Sequence, residues 1–337
     1  MQRNHGVDFM RFVFALGIAA LHVCGALSCG RCLRNAYVIV ECFFIMSGFF
    51  LFHTLRQHPD EDFVVFARKK FARLWPVLFF VVSVLFLSGR LSFTRFFLDS
   101  FFLQCIGLIG DYKGIHWFVS PLFWSLLFYF GLVRAVHDNR KRYLLVAVIV
   151  YGAYAIVLRG GGSFGRGFSH GFVSRAMMRG IAGVGLGYLM GVLSVAWRGR
   201  SGFWVTVGEL FFSAVLFVNL FYAPYACSTQ LVIVVSFAVL LLLLNGGEGC
   251  LSKILNRRPF GALGRYGYSI YMVQPLVLLL MDLMGVSQMD LVLNHVRISA
   301  LIAVFLVVLS GVGLYYLVER PGMSFFAAKY GACDAEC

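Results

Sequence analysis

Apolar runs long enough to cross a bilayer recur at about 8–28, 36–54, 75–92, 116–134, 143–159, 176–197, 203–222, 229–245, 266–284 and 298–318, with short polar or basic stretches between them. A helix needs about 20 apolar residues to span hydrocarbon. The pattern therefore predicts an all-α fold, a polytopic membrane helix bundle of about ten transmembrane helices. The apolar segment Phe96–Ile109 is only about fourteen residues long and reads as a re-entrant or interfacial piece. The first run, Val7–Leu27, has the length of a full span and no clear small-residue cleavage site, so it reads as the first transmembrane helix and not as a signal peptide. No internal repeat or soluble domain breaks the series. Residues 1–322 read as one transmembrane domain and 323–337 as a short cytoplasmic tail.

Composition agrees with the pattern. Of 337 residues, 60% are hydrophobic and 13% charged, with a mean hydropathy of +0.84, which soluble domains do not reach. The net charge of +14, from 29 Lys and Arg against 15 Asp and Glu, would suit nucleic acid if it were spread over one surface. It is concentrated instead in the connections 55–73, 134–142, 198–200 and 249–265, while 223–228 carries none. That is the positive-inside distribution, so the charge reports topology, with both termini cytoplasmic and no nucleic-acid partner. Nine cysteines are scattered without metal-ligand spacing, which predicts no metal; Cys29 with Cys32 is the only pair close enough to test for a disulfide or metal. The connection 159–175 is rich in glycine and carries Arg159, Arg166, His170 and Arg175. It reads either as a cover for a polar or anionic acceptor or as a connector with arginines at the headgroups.

Within these apolar runs a few polar side chains need a reason. Arg11 and His22 are eleven positions apart, which at about 100° and 1.5 Å per residue places them on one helix face roughly 16 Å apart. Ionisable groups at membrane depth point to function by default; a neutral histidine bonded to a neighbouring helix is the alternative. Glu41 lies near the same end of the second run as His22 does of the first, so the carboxylate is expected to partner the imidazole as it acts as general base. Lys70 and Arg73 share a helical face just before Pro76. They suit either the phosphates of a nucleotide-bearing donor such as acyl-CoA or positive-inside anchoring. Ser47-Gly48 reads as a close helix contact before it reads as an acyl carrier.

Taken in order, these residues resemble the integral-membrane acyltransferase family 3, of the bacterial O-acyltransferase or O-acetyltransferase type. The resemblance runs through Arg11 and His22, then Val40-Glu41-Cys42-Phe43-Phe44-Ile45-Met46-Ser47-Gly48-Phe49, then Lys70-Phe71-Ala72-Arg73-Leu74-Trp75-Pro76. It continues through His116-Trp117-Phe118, the helix Tyr268-Ser269-Ile270-Tyr271-Met272-Val273-Gln274-Pro275 and the closing Val318-Glu319-Arg320-Pro321. The resemblance implies transfer of an acyl group, most often acetyl, from cytoplasmic acyl-CoA to a hydroxyl of a surface or exported glycan, by a multi-pass protein of the cell inner membrane. It implies His22 as base with Glu41 as its partner, and Arg11, Lys70 and Arg73 as donor-side cations. His116, Trp117 and Arg166 are the acceptor-side candidates. Two positions depart from the family pattern: Lys70 replaces an arginine and Gln274 a histidine, so the latter position cannot titrate near neutrality. The competing readings are a transporter or flippase for a polar or lipid-linked substrate, and a non-catalytic scaffold of an envelope polysaccharide complex.

Overall fold

The computed structural model describes residues 4–330 except 30–32, 34, 109–113, 160–163, 165–168, 171–172, 198–201 and 247–248. Helix α1 (His5–Ala26) starts where the Asn4 side chain accepts from the amides of Gly6 and Val7. A 3₁₀ turn, Ala36–Val38, leads into α2 (Ile39–Gln57). Helix α3 (Phe63–Leu87) begins twelve residues before the apolar run expected at 75, because Asp62 caps the amides of Val64 and Val65 and the basic stretch continues as helix into the span. Pro76 lies inside α3, and the Tyr268 hydroxyl donates to the nearby Leu74 carbonyl at 2.7 Å. Helix α4 (Phe93–Ser100), capped by Ser92, is too short to span. The indoles of Trp75 and Trp124 donate to the carbonyls of Ser100 and Phe102, tying this segment to its neighbours.

A 3₁₀ turn, Ile115–Phe118, opens α5 (Val119–Ala135), followed by α6 (Asn139–Arg159). A two-residue antiparallel pairing, Ser169–His170 with Val173–Ser174, precedes α7 (Arg175–Ala196). Then come α8 (Gly202–Phe221), α9 (Cys227–Gly246) and the short α10 (Cys250–Leu255) and α11 (Arg258–Gly264). Helix α12 (Gly267–Leu283) leads through α13 (Asp290–Asn294) to α14 (Val296–Leu314), a π-helical turn at Tyr315–Glu319 and α15 (Arg320–Tyr330). Among the described residues nine helices are long and apolar enough to span, or ten when α11 and α12, bent by 42°, count as one. The expected helical membrane bundle is what the chain forms.

The last helix runs on past Pro321. Residues 323–330 are helical, and Phe326 packs edge-on against Phe71 and Trp75 of α3.

Two packing contacts position the site. Helices α2 and α7 form the most extensive pair in the bundle. A Cβ at Gly48 would run into the Val184 carbonyl, and one at Gly187 into the Ile45 carbonyl, so the two backbones touch at both places. Ser47, beside that contact, returns its hydroxyl to the Phe43 carbonyl of its own helix at 2.8 Å. Residues 261, 264 and 267 meet residues 5, 8 and 11, so α11 and α12 run parallel to α1. Outward faces such as Trp204, Leu301 and Leu144 are broadly exposed apolar surface, as lipid contact requires.

Candidate functional site

Within seven residues α12 touches four other parts of the chain. Half-buried His22 meets Gln274 at 2.7 Å through Nδ1 and Oε1. With the Gln274 amide oxygen turned to the ring, as here, the contact takes a proton on Nδ1, and in the neutral imidazole that leaves the lone pair on Nε2. This is the tautomer a base needs if Nε2 is the reacting atom. Tyr271 donates to the Ile115 carbonyl at 2.6 Å, Tyr268 to Leu74, and Ser269 to the Glu319 carboxylate at 2.5 Å. Ser269 and Gln274 are five residues apart, about 7.5 Å along the axis.

At the Ser269 level Arg73 Nη2 lies 3.3 Å from Glu319 Oε1, and Arg73 Nη1 meets the Met323 sulfur at 3.3 Å. The π-helical turn sets this up: its extra residue per turn brings Glu319, fully buried, toward α3. Three separated stretches of sequence, around Arg73, Ser269 and Glu319, thus meet in one cluster. The closing Glu-Arg-Pro stretch was the signal for Glu319, which the sequence reading gave no role. Arg11 pairs with Asp8 at 3.2 Å and lies over the Phe50 ring at 4.4 Å; Lys70 lies over Phe66 at 5.0 Å. A cavity of 490 Å³ near Lys69 is lined by Asp60, Glu61 and Asp62, the wrong sign for phosphates, and Glu61 already pairs with Lys69 at 2.8 Å.

Glu41 is placed otherwise than expected. It lies on the α2 stripe that packs on α7 and pairs with Arg179 Nε, while His22 takes its bond from α12. Depth along two helices does not decide which faces meet, and the close α2–α7 contact turns Glu41 to α7. Arg179, 5% exposed, was not singled out from sequence. Its guanidinium lies 4.7 Å from the half-buried Trp117 ring, and Nη1 donates at 2.9 Å to the Phe164 carbonyl. The Phe164 amide donates to Gln230 Oε1 at 2.8 Å, which holds that residue of the 159–175 connection inside the bundle.

His116 is turned inward: it is 2% exposed, with Nε2 2.9 Å from Asp99 Oδ2 on α4. Here it ties the short helix to the start of α5. Arg166 and Cys32 lie outside the described residues. Cys105 is no ready thiolate: burial, then the nearby Asp99 carboxylate, push its thiol well up from the ordinary range. Among the described residues no group of three or more His, Cys, Asp or Glu side chains is arranged to hold a metal.

A family model described as an acyltransferase domain matches residues 4–319, nearly the whole chain. No curated protein and no solved structure matches it.

Proposed function

The chain belongs to the acyltransferase family whose model it matches over residues 4–319, and from that premise we propose a membrane-bound O-acyltransferase that moves an acyl group, acetyl in the first instance, from acyl-CoA to a hydroxyl of a surface or exported glycan. The protein sits in the cell inner membrane with both ends cytoplasmic, as its basic connections favour. The observation that carries the reading is the bond from His22 Nδ1 to Gln274 Oε1, which leaves Nε2 as a base on a half-buried side chain.

In this mechanism Nε2 removes the proton of the acceptor hydroxyl as its oxygen attacks the thioester carbonyl carbon. The carbon–sulfur bond breaks, and the imidazolium returns the proton to the departing thiolate. Arg11, Lys70 and Arg73 form the donor-side cations, with Glu319 and Ser269 fixing the Arg73 guanidinium rather than leaving it to swing. Glu41 serves Arg179 instead of the base.

Membranes from cells carrying the native chain or His22→Ala at equal abundance, incubated with acetyl-radiolabelled CoA, test this. Label is expected in envelope carbohydrate with the native chain, and a loss of about 10²–10⁴-fold is expected without the imidazole, the usual contribution of a general base. Equal label in both would remove His22 as the base. Label in neither would remove acetyl transfer from CoA to carbohydrate.

A further inference from the structure

Beyond the base and the cations, α2, α7 and α9 bring three polar side chains into one buried, hydrogen-bonded cluster, called a cage below. Glu41 and Gln230 are fully buried and Arg179 is 5% exposed. Glu41 and Gln230 each spend one polar atom on the fold and Arg179 two: Glu41 Oε1 and Arg179 Nε on their ion pair, Arg179 Nη1 and Gln230 Oε1 on the carbonyl and amide of Phe164. Each also keeps one that has no hydrogen-bond partner among the described residues, namely Glu41 Oε2, Arg179 Nη2 and Gln230 Nε2. The Tyr154 hydroxyl faces the Glu41 carboxylate, yet neither it nor Oε2 completes a well-formed hydrogen bond. Polar atoms left unpaired inside a membrane bundle are costly unless something arrives to meet them.

We infer that this cage is the subsite for hydroxyl groups of a neutral, polyhydroxylated ligand. The unpaired set holds one carboxylate acceptor and two N–H donors around a charge-neutral pair. An anion would face Glu41 Oε2 and a cation Arg179, whereas a hydroxyl both donates and accepts and so satisfies either kind of atom. The Phe164 peptide fixes the side chains of Arg179 and Gln230, so their remaining N–H groups are held ready instead of being ordered on binding. Trp117, lying across Arg179, closes one side with an aromatic plate. The ligand's identity as the acyl acceptor rests on the function proposed above; the cage does not.

The test uses the full chain in lipid nanodiscs and oligosaccharides released from the envelope of the producing cells, tritium-labelled at the reducing end, with binding measured at equilibrium without acyl-CoA. The Tyr154 hydroxyl, beside the Glu41 carboxylate, counts as a fourth contact to the ligand, and Tyr154→Phe removes it with little change of volume; Gln230→Met removes the Nε2 donor together with the Oε1 acceptor of the Phe164 amide. The expected result is saturable binding by the native chain and a Kd about three- to tenfold higher in each variant, the scale of one hydrogen bond. No saturable binding by the native chain, or an unchanged Kd in both variants, would overturn the subsite and leave the cage to ordered water. If Gln230→Met does not fold, Tyr154→Phe decides. Adding acetyl-CoA then separates the two ideas: binding that weakens as expected without any transfer keeps the subsite and removes the transferase reading, while transfer with an unchanged Kd does the reverse.

Discussion

Gln274 stands where the family pattern has histidine, and in this chain it holds the proton of His22 Nδ1. If that bond orients the base, Gln274→Leu leaves a buried donor unmatched and lowers kcat for acetyl transfer by roughly tenfold. The KM for acetyl-CoA is expected to stay constant, because the side chain lies on the base and not on the donor cations. Gln274→His, which offers a ring nitrogen as acceptor, is expected to restore most of the rate; a fall in KM and kcat together would point to a general disturbance of α12. His22 itself was legible as a lone imidazole in an apolar run beside Arg11 at helical spacing. Its partner was not, since both Glu41 and Gln274 are polar residues in apolar helices and only the packing of those helices chooses between them. Arg179 was harder still. Near the edge of its run it reads like any cation able to stretch toward the headgroups, and only the Glu41 carboxylate across the α2–α7 contact makes it a buried ion.

The element that matters most is also the least regular. The π-helical turn at Tyr315–Glu319 carries one residue more than an α-helix would. Glu319→Gln keeps this turn and removes the charge that holds the Arg73 guanidinium. The expected outcome is a protein that folds and inserts but transfers at least tenfold less acetyl, checked by size-exclusion profile and label transfer on one preparation; full activity would show that the Arg73–Glu319 pair is structural only. Hydropathy located every span, because an apolar run of the right length has few alternatives in a bilayer. It misplaced the start of α3 because the basic stretch before the run is polar yet helical, capped by Asp62. It had no means of finding the π turn, whose extra residue leaves no mark in an apolar pattern.

Across the whole molecule, the proposed orientation rests on the distribution of charge and is open to a direct check. Cys250 is exposed, and the neighbouring Asn256 side chain accepts from the His5 amide at 2.9 Å, so this cysteine marks the end at which α1 begins. With the other eight of the nine cysteines replaced by serine, a membrane-impermeant maleimide is expected to label Cys250 in inverted vesicles and not in right-side-out ones; the opposite pattern would invert the topology. The parallel packing of α1 with α12 has a consequence for how the protein is made. His22 and Gln274 are 252 positions apart, so a ribosome adding about 5–20 residues per second needs on the order of 10–50 seconds between them. Through that interval the first helix is without the Gln274 partner of its imidazole. On the proposed function, reactivity toward the donor is then withheld until translation is nearly complete, and a chain stalled before α12 is expected to transfer no acyl group.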